Sequence, residues 1–164
     1  METKYRVECQ THSVEDTTQL GKQLGAFLQE RQEPLCVALI GDLGTGKTHM
    51  SQGIGLGFGI KEEMTSPTFA LMNTYEAHGQ ALYHFDVYRL DDVCELENIG
   101  FYEYTEDQIS IVEWANKFPH ELPDETLWVT ITRLGESERQ IMMASDILSD
   151  VELAQIGGQY VVRN

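Results

Sequence analysis

The stretch that most constrains this chain is a six-residue apolar run, LCVALI at 35–40, followed without a gap by GDLGTGKT at 41–48. A run that is apolar on both faces of an extended chain reads as a fully buried strand, and such strands belong in the interior of a sheet covered on both sides. The glycines after it call for a tight turn. Residues 47–56 then read as a helix in which Gly53 and Gly57, four apart, allow close packing, with Gly57 and Gly59 ending it. Strand, glycine turn and helix in that order commit the chain to an α/β architecture.

The remaining pattern fits around this unit. YRVEC at 5–9 alternates as a short strand, and Val14, Leu20, Leu24, Phe27 and Leu28 recur at helical spacing. Ser13 and Asp16 suit the start of that helix, and Pro34 lies beyond its end. TFALMNTYEA and QALYHFDVYRL read as an antiparallel hairpin about His78-Gly79, and DDVCELENIG predicts a short capped helix beginning at Asp91 or Asp92. QISIVEW at 108–114 is a second buried strand. TLWVTITRL and RQIMMAS predict a second hairpin through Gly135-Glu136-Ser137, and DILSDVELAQI a terminal helix. Buried parallel-type strands thus coexist with hairpins. The expectation is one α/β domain spanning residues 1–164, P-loop NTPase-like, with a mixed parallel/antiparallel sheet flanked by helices.

Charge limits the partners. Asp and Glu number 27 against 11 Lys and Arg, a formal net charge of −16. A domain that grips nucleic acid by itself needs a basic face to displace phosphate counterions, and no run of Lys or Arg occurs here. Cys9, Cys36 and Cys94 are odd in number and lack a CxxC or zinc-like spacing, so they read as free buried thiols in a reducing cytosol. The N-terminus, METKYRVECQ, has no apolar centre, and no apolar run approaches the length of a membrane span. The expectation is a cytoplasmic protein without a membrane partner.

Gly41-Asp42-Leu43-Gly44-Thr45-Gly46-Lys47-Thr48 fits GxxxxGK[ST] without a mismatch. Glycines let the loop turn its backbone N–H groups onto phosphate oxygens, and the helix behind it adds unpaired N–H groups and a positive dipole end. Lys47 is placed to reach the β- and γ-phosphates, and the Thr48 hydroxyl to ligate Mg²⁺. Two carboxylates end apolar strands, Glu113 after ISIV and Asp86 after LYHF. Either can hold Mg²⁺, directly or through water, or orient an attacking water; a solvated strand-end carboxylate explains each as well. Trp114 reads as a core aromatic, and an ion pair accounts for Arg89 without any catalysis.

Three nucleotide machines compete. A GTPase needs an NKxD motif in a late loop, and Asn116-Lys117-Phe118-Pro119 lacks the Asp and follows the Glu113 strand too closely. A small-molecule kinase has about the right size, yet its usual arginine-rich lid has no counterpart in the scattered arginines here. The third is a slow ATPase whose nucleotide state switches a protein contact.

Four segments in order carry a family resemblance: GDLGTGKT, SPTF at 66–69, HFDVYRL at 84–90 followed by Glu95-Leu96, and VEWANK at 112–117. In sequence and interval they resemble the TsaE (YjeE) family, from the first helix to the final hairpin. His49 stands where a second Thr is frequent. The resemblance implies a small cytoplasmic ATPase that binds ATP/ADP with Mg²⁺ and is required for N6-threonylcarbamoylation of adenosine 37 in tRNA. It implies action with a TsaB–TsaD pair, so that tRNA is met only indirectly through partners. It also implies that Gly44, Thr45, Gly46, Lys47, Thr48 and His49 line the phosphates, that Thr48 and Glu113 ligate Mg²⁺, and that Asp86 sits at the nucleotide–metal site. Thr68 would lie near the γ-phosphate and Trp114 at the site's edge. The base would lie near residues 13–17, headed by Ser13, and near the turn at 135–137, which ends in Ser137.

Overall fold

In the computed structural model, which describes residues 3–42, 44–67 and 70–163, the chain runs β1 (Tyr5–Thr11), α1 (Val14–Arg31), β2 (Leu35–Ile40), α2 (Lys47–Phe58), β3 (Met72–Ala77) and β4 (Gln80–Asp86). It continues through α3 (Val93–Asn98), α4 (Phe101–Asp107), β5 (Ile109–Glu113), β6 (Thr126–Arg133), β7 (Arg139–Ser145) and α5 (Asp150–Gly157). The strands form one sheet in the order β1-β7-β6-β2-β5-β4-β3. β2 is central, parallel to β5 and to β6, and β4 is parallel to β5. The hairpins β3–β4 and β6–β7 bring in the antiparallel pairs, and β1 adds a third against β7. The mixed α/β sheet expected from the sequence is therefore the one observed.

The alternation of side chains across the strands divides the core in two. Val37, Leu39, Ile111, Val129 and Met143 face α1, α2 and α5, whereas Cys36, Ala38, Phe85 and Val112 face Leu96 of α3 and Phe101 of α4. α1 and α2 meet backbone to backbone. A Cβ at Gly25 would lie 2.1 Å from the Ile54 carbonyl oxygen, and one at Gly53 2.2 Å from that of Thr18. Gly57 was expected to end α2; instead the helix runs through it, pressed on the Lys22 carbonyl, and Gly59 is the left-handed cap at φ 102°.

Other boundaries differ for local reasons. β3 starts at Met72, after Leu71 in a left-handed conformation, and β4 ends at Asp86, beyond which Val87 accepts from Leu90 N–H in a turn. α4 was not anticipated. Its Phe101 and Tyr104 stack on Phe85 and Tyr83, at ring separations of 5.2 and 4.3 Å, and this packing selects a helix for a seven-residue aromatic segment. The terminal helix begins four residues later than expected, because Ser149 and Glu152 form a reciprocal capping box. The Ser145 hydroxyl meanwhile accepts the N–H groups of Ile147 and Leu148. Cys9 and Cys36 are buried, and burial pushes both thiols up to about 12, but Cys94 is exposed, contrary to the expectation of three buried thiols. Among the described residues no helix is long and apolar enough to cross a membrane.

Candidate active site

The carboxyl ends of β2, β4, β5 and β6 and the start of β7 lie along one edge of the sheet. Open α/β sheets bind ligands in the crevice outside such an edge. A cleft of about 460 Å³ opens there, lined by Gly44, Gly46, Lys47, Thr48 and His49 together with Ser66, Asp86, Glu113, Trp114 and Arg139.

The loop is shaped for a backbone cradle. A Cβ at Gly41 would stand 2.7 Å from Thr45 Oγ1, so no larger residue fits the exit from β2. Thr45 closes the turn by donating its hydroxyl to the Asp42 carbonyl at 2.8 Å. Gly44 and Gly46 hold φ of 79° and 106°, a region that side chains resist. Gly46 has no side chain with which to cap α2, and among the described residues no side chain accepts from the first N–H groups of the helix. Leu43 lies outside the described residues.

Lys47 is buried, and among the described residues its Nζ has no hydrogen-bond partner. It rests over the Trp114 ring, 3.4 Å from the centroid. Burial lowers its pKa below the ordinary lysine value, while the charges of Glu113, Asp86 and Asp42 pull it back up. Among the described residues, therefore, no side-chain anion neutralises this cation by direct contact.

Opposite stand the two predicted carboxylates. Asp86 and Glu113 are register partners on β4 and β5, so they project side by side from one face. Asp86 is tied down: its Oδ2 accepts from the Ser66 hydroxyl at 2.8 Å and its Oδ1 from Tyr88 N–H at 3.0 Å. Glu113 is buried, and its Oε2 lies 2.5 Å from Nε2 of the fully buried His84, two residues before Asp86 on β4. Trp114 takes a left-handed conformation at φ 62°, which turns the chain sharply after Glu113; its ring meets Tyr88 at 4.7 Å. Thr48 is exposed at the head of α2 and lines the same cleft. Thr68 lies outside the described residues. Among the described residues no three His, Cys, Asp or Glu converge on a metal site.

Ser13 and Ser137, far apart in sequence, line one small hollow beside Thr45, Gly46 and His49. The Ser13 hydroxyl is already engaged as the cap of α1, accepting from Asp16 N–H at 3.0 Å. The residue that joins these parts escaped the sequence reading. Arg139, the first residue of β7, donates from Nε to the Thr45 carbonyl at 2.7 Å. Its Nη1 donates to the Gly135 and Glu138 carbonyls at 3.0 and 2.9 Å. The sequence alone gives His84 no role; the strand register shows that it lies beneath Glu113.

Sheet, glycine loop and helix define a mixed α/β protein in which the central strand runs through a glycine loop into a helix. The family profile of threonylcarbamoyl adenosine biosynthesis protein TsaE matches residues 11–141, and the chain belongs to that family. It is similar to the tRNA threonylcarbamoyladenosine biosynthesis protein TsaE of Treponema pallidum, at 37% identity over 84% of this chain and 100% of that one. It is also similar to the protein of that name from Bacillus subtilis, at 37% identity over 83% of this chain and 84% of that one. A crystal structure of Bacillus subtilis YdiB superposes with a TM-score of 0.67 at 30% identity, covering 89% of this chain and 88% of that one.

Proposed function

We propose that this chain binds ATP with Mg²⁺ and hydrolyses it slowly, as a cytoplasmic accessory to tRNA threonylcarbamoyladenosine biosynthesis. The observation that carries the reading is Lys47: a buried ammonium without a hydrogen-bond partner, at the uncapped start of α2 and in the field of two strand-end carboxylates. A buried cation is costly unless an anion joins it. A nucleotide β,γ-phosphate fits that need, and the loop amides and the dipole of α2 would share the charge.

Thr48 and Glu113 are the residues that would hold Mg²⁺, with Asp86 beside them. These residues would place the ion where its charge would offset that developing on phosphoryl transfer. That no protein cage for a metal forms among the described residues suits this ion, which keeps several waters and takes substrate oxygens. Lys47 would bind the β- and γ-phosphates. Glu113, held by His84, and Asp86, held by Ser66 and Tyr88, are carboxylates of fixed direction, suited to orienting a water or a hydrated ion. Thr68 belongs to the same proposal as a residue near the γ-phosphate, and the hollow between Ser13 and Ser137 as the approach for the base.

The chain's charge of −16 favours an indirect relation to tRNA through a TsaB–TsaD-like complex, docked in the ATP state and released after hydrolysis. The small-molecule kinase has no comparable support: the arginines of the cleft are Arg89 and Arg139, and Arg139 is committed to backbone carbonyls. The test is ATP hydrolysis by the purified chain, alone and with a TsaB–TsaD pair and unmodified tRNA. Weak turnover alone and clear stimulation by the pair support the reading. Brisk turnover indifferent to the pair, or phosphate transferred to a small metabolite, overturns it.

A further inference from the structure

We propose that Arg139 is a positioning residue for the phosphate cradle: from the rim of the cleft it fixes the backbone of the glycine loop and locks it to the turn between β6 and β7. The inference rests on the reading of residues 41–48 as a phosphate loop. Such a loop works by presenting N–H groups to the ligand, which leaves its carbonyls facing outward in need of donors. Arg139 supplies them. Nε donates to the Thr45 carbonyl at 2.7 Å, and Nη2 reaches the Gly44 carbonyl at 3.5 Å. The peptide unit is planar and trans, so its C=O and N–H point in opposite directions. Pinning the Thr45 carbonyl on Arg139 therefore aims the Gly46 N–H away from β7, and Gly46 is a wall of the cleft.

The same guanidinium grips the turn. Nη1 donates to the carbonyls of Gly135 at 3.0 Å and Glu138 at 2.9 Å and shares a hydrogen with that of Glu136 at 3.3 Å. One side chain thus joins two segments distant in sequence, with a forked set of donors that lysine does not possess. The link is not supplied by regular structure: Asp42 and Gly44 to Gly46 belong to no strand or helix, and among the described residues the turn is also held by Arg133 Nε donating to the Gly135 carbonyl at 3.1 Å.

The test compares ADP, AMP and inorganic pyrophosphate binding to the full chain and to Arg139→Ala and Arg139→Lys, by titration calorimetry, with the thermal midpoint of each. Pyrophosphate has no base, so it reads the loop apart from the turn. The expected result is that Arg139→Ala weakens ADP and pyrophosphate alike by about tenfold to a hundredfold, leaves AMP nearly unchanged, and recovers part of its ADP affinity in ethylguanidinium but not in ethylammonium. Arg139→Lys keeps the charge and loses the fork, and it should show the same pattern in smaller measure; it carries the test if the alanine variant fails to fold. Unchanged pyrophosphate affinity in either folded variant, or a loss equal for all three ligands that follows the thermal midpoint, overturns the proposal. If the parent chain binds neither ADP nor pyrophosphate, the phosphate-loop reading itself fails.

Discussion

Two helix starts in this molecule contrast sharply. At α5 the Ser149 hydroxyl accepts the Glu152 N–H, and the Glu152 carboxylate accepts the Ser149 N–H in return. At α2 the cap is Gly46, and among the described residues no side chain accepts from the first turn, whose first residue is a buried lysine with no hydrogen-bond partner. Both ends belong to helices of at least eight residues packed on the same side of the sheet. The difference teaches where the chain spends its polar groups. α5 is closed within itself, whereas α2 keeps its donors open and places Glu113 and Asp86 across the gap. An end left open in this way suits the phosphate proposed for it.

The contrast can be broken most severely at the carboxylate side. Glu113→Gln should leave ADP binding nearly intact but lower partner-stimulated ATP hydrolysis by about a hundredfold to a thousandfold. Full activity in that variant would remove Glu113 from the site. Next, Lys47→Met should weaken ADP by about tenfold to a hundredfold in calorimetry. The same variant should stabilise the free chain, by about 1–3 kcal/mol, because it removes a buried charge that has no hydrogen-bond partner among the described residues. The sign with pH follows from the lowered pKa. The unfolded chain holds the Lys47 proton where the folded chain has begun to lose it, so the parent's stability should rise toward the variant's as pH climbs through the depressed value to 10.5. Chemical denaturation of both proteins across that alkaline range reads the convergence.

Smaller effects should fall on stability alone. Gly53→Ala puts a methyl on the Thr18 carbonyl and should cost about 2–3 kcal/mol, seen as a lower thermal midpoint. Ser149→Ala opens the closed helix start and should cost about 1 kcal/mol, with ADP affinity unchanged. If Ser149→Ala altered nucleotide binding as much as Lys47→Met, the distinction between the two ends would collapse.

Much of this was legible in the residues. LCVALI and ISIVE are apolar on both faces and become the two central parallel strands, and GDLGTGKT lies where its glycines require. The two hairpins were set by His78-Gly79 and by the Gly135 turn. What escaped depends on the third dimension. α4 exists because Phe101 and Tyr104 find Phe85 and Tyr83, and a short aromatic segment carries no helical period of its own. His84 became meaningful only when register set it under Glu113. Arg139 bonds to backbone carbonyls, and a carbonyl leaves no signature in the side-chain alphabet.

The interlocking glycines of α1 and α2 have a consequence for hydrogen exchange. Gly21, Gly25, Gly53 and Gly57 bring the two backbones so close that neither helix can shift or fray in the middle without colliding with the other's carbonyls. Their central amides should therefore exchange with solvent together, through one shared opening, rather than helix by helix. Because α2 carries the glycine loop at its head and α1 carries Ser13 and Thr17 beside it, that shared opening also sets how often the two walls of the hollow next to Gly46 separate.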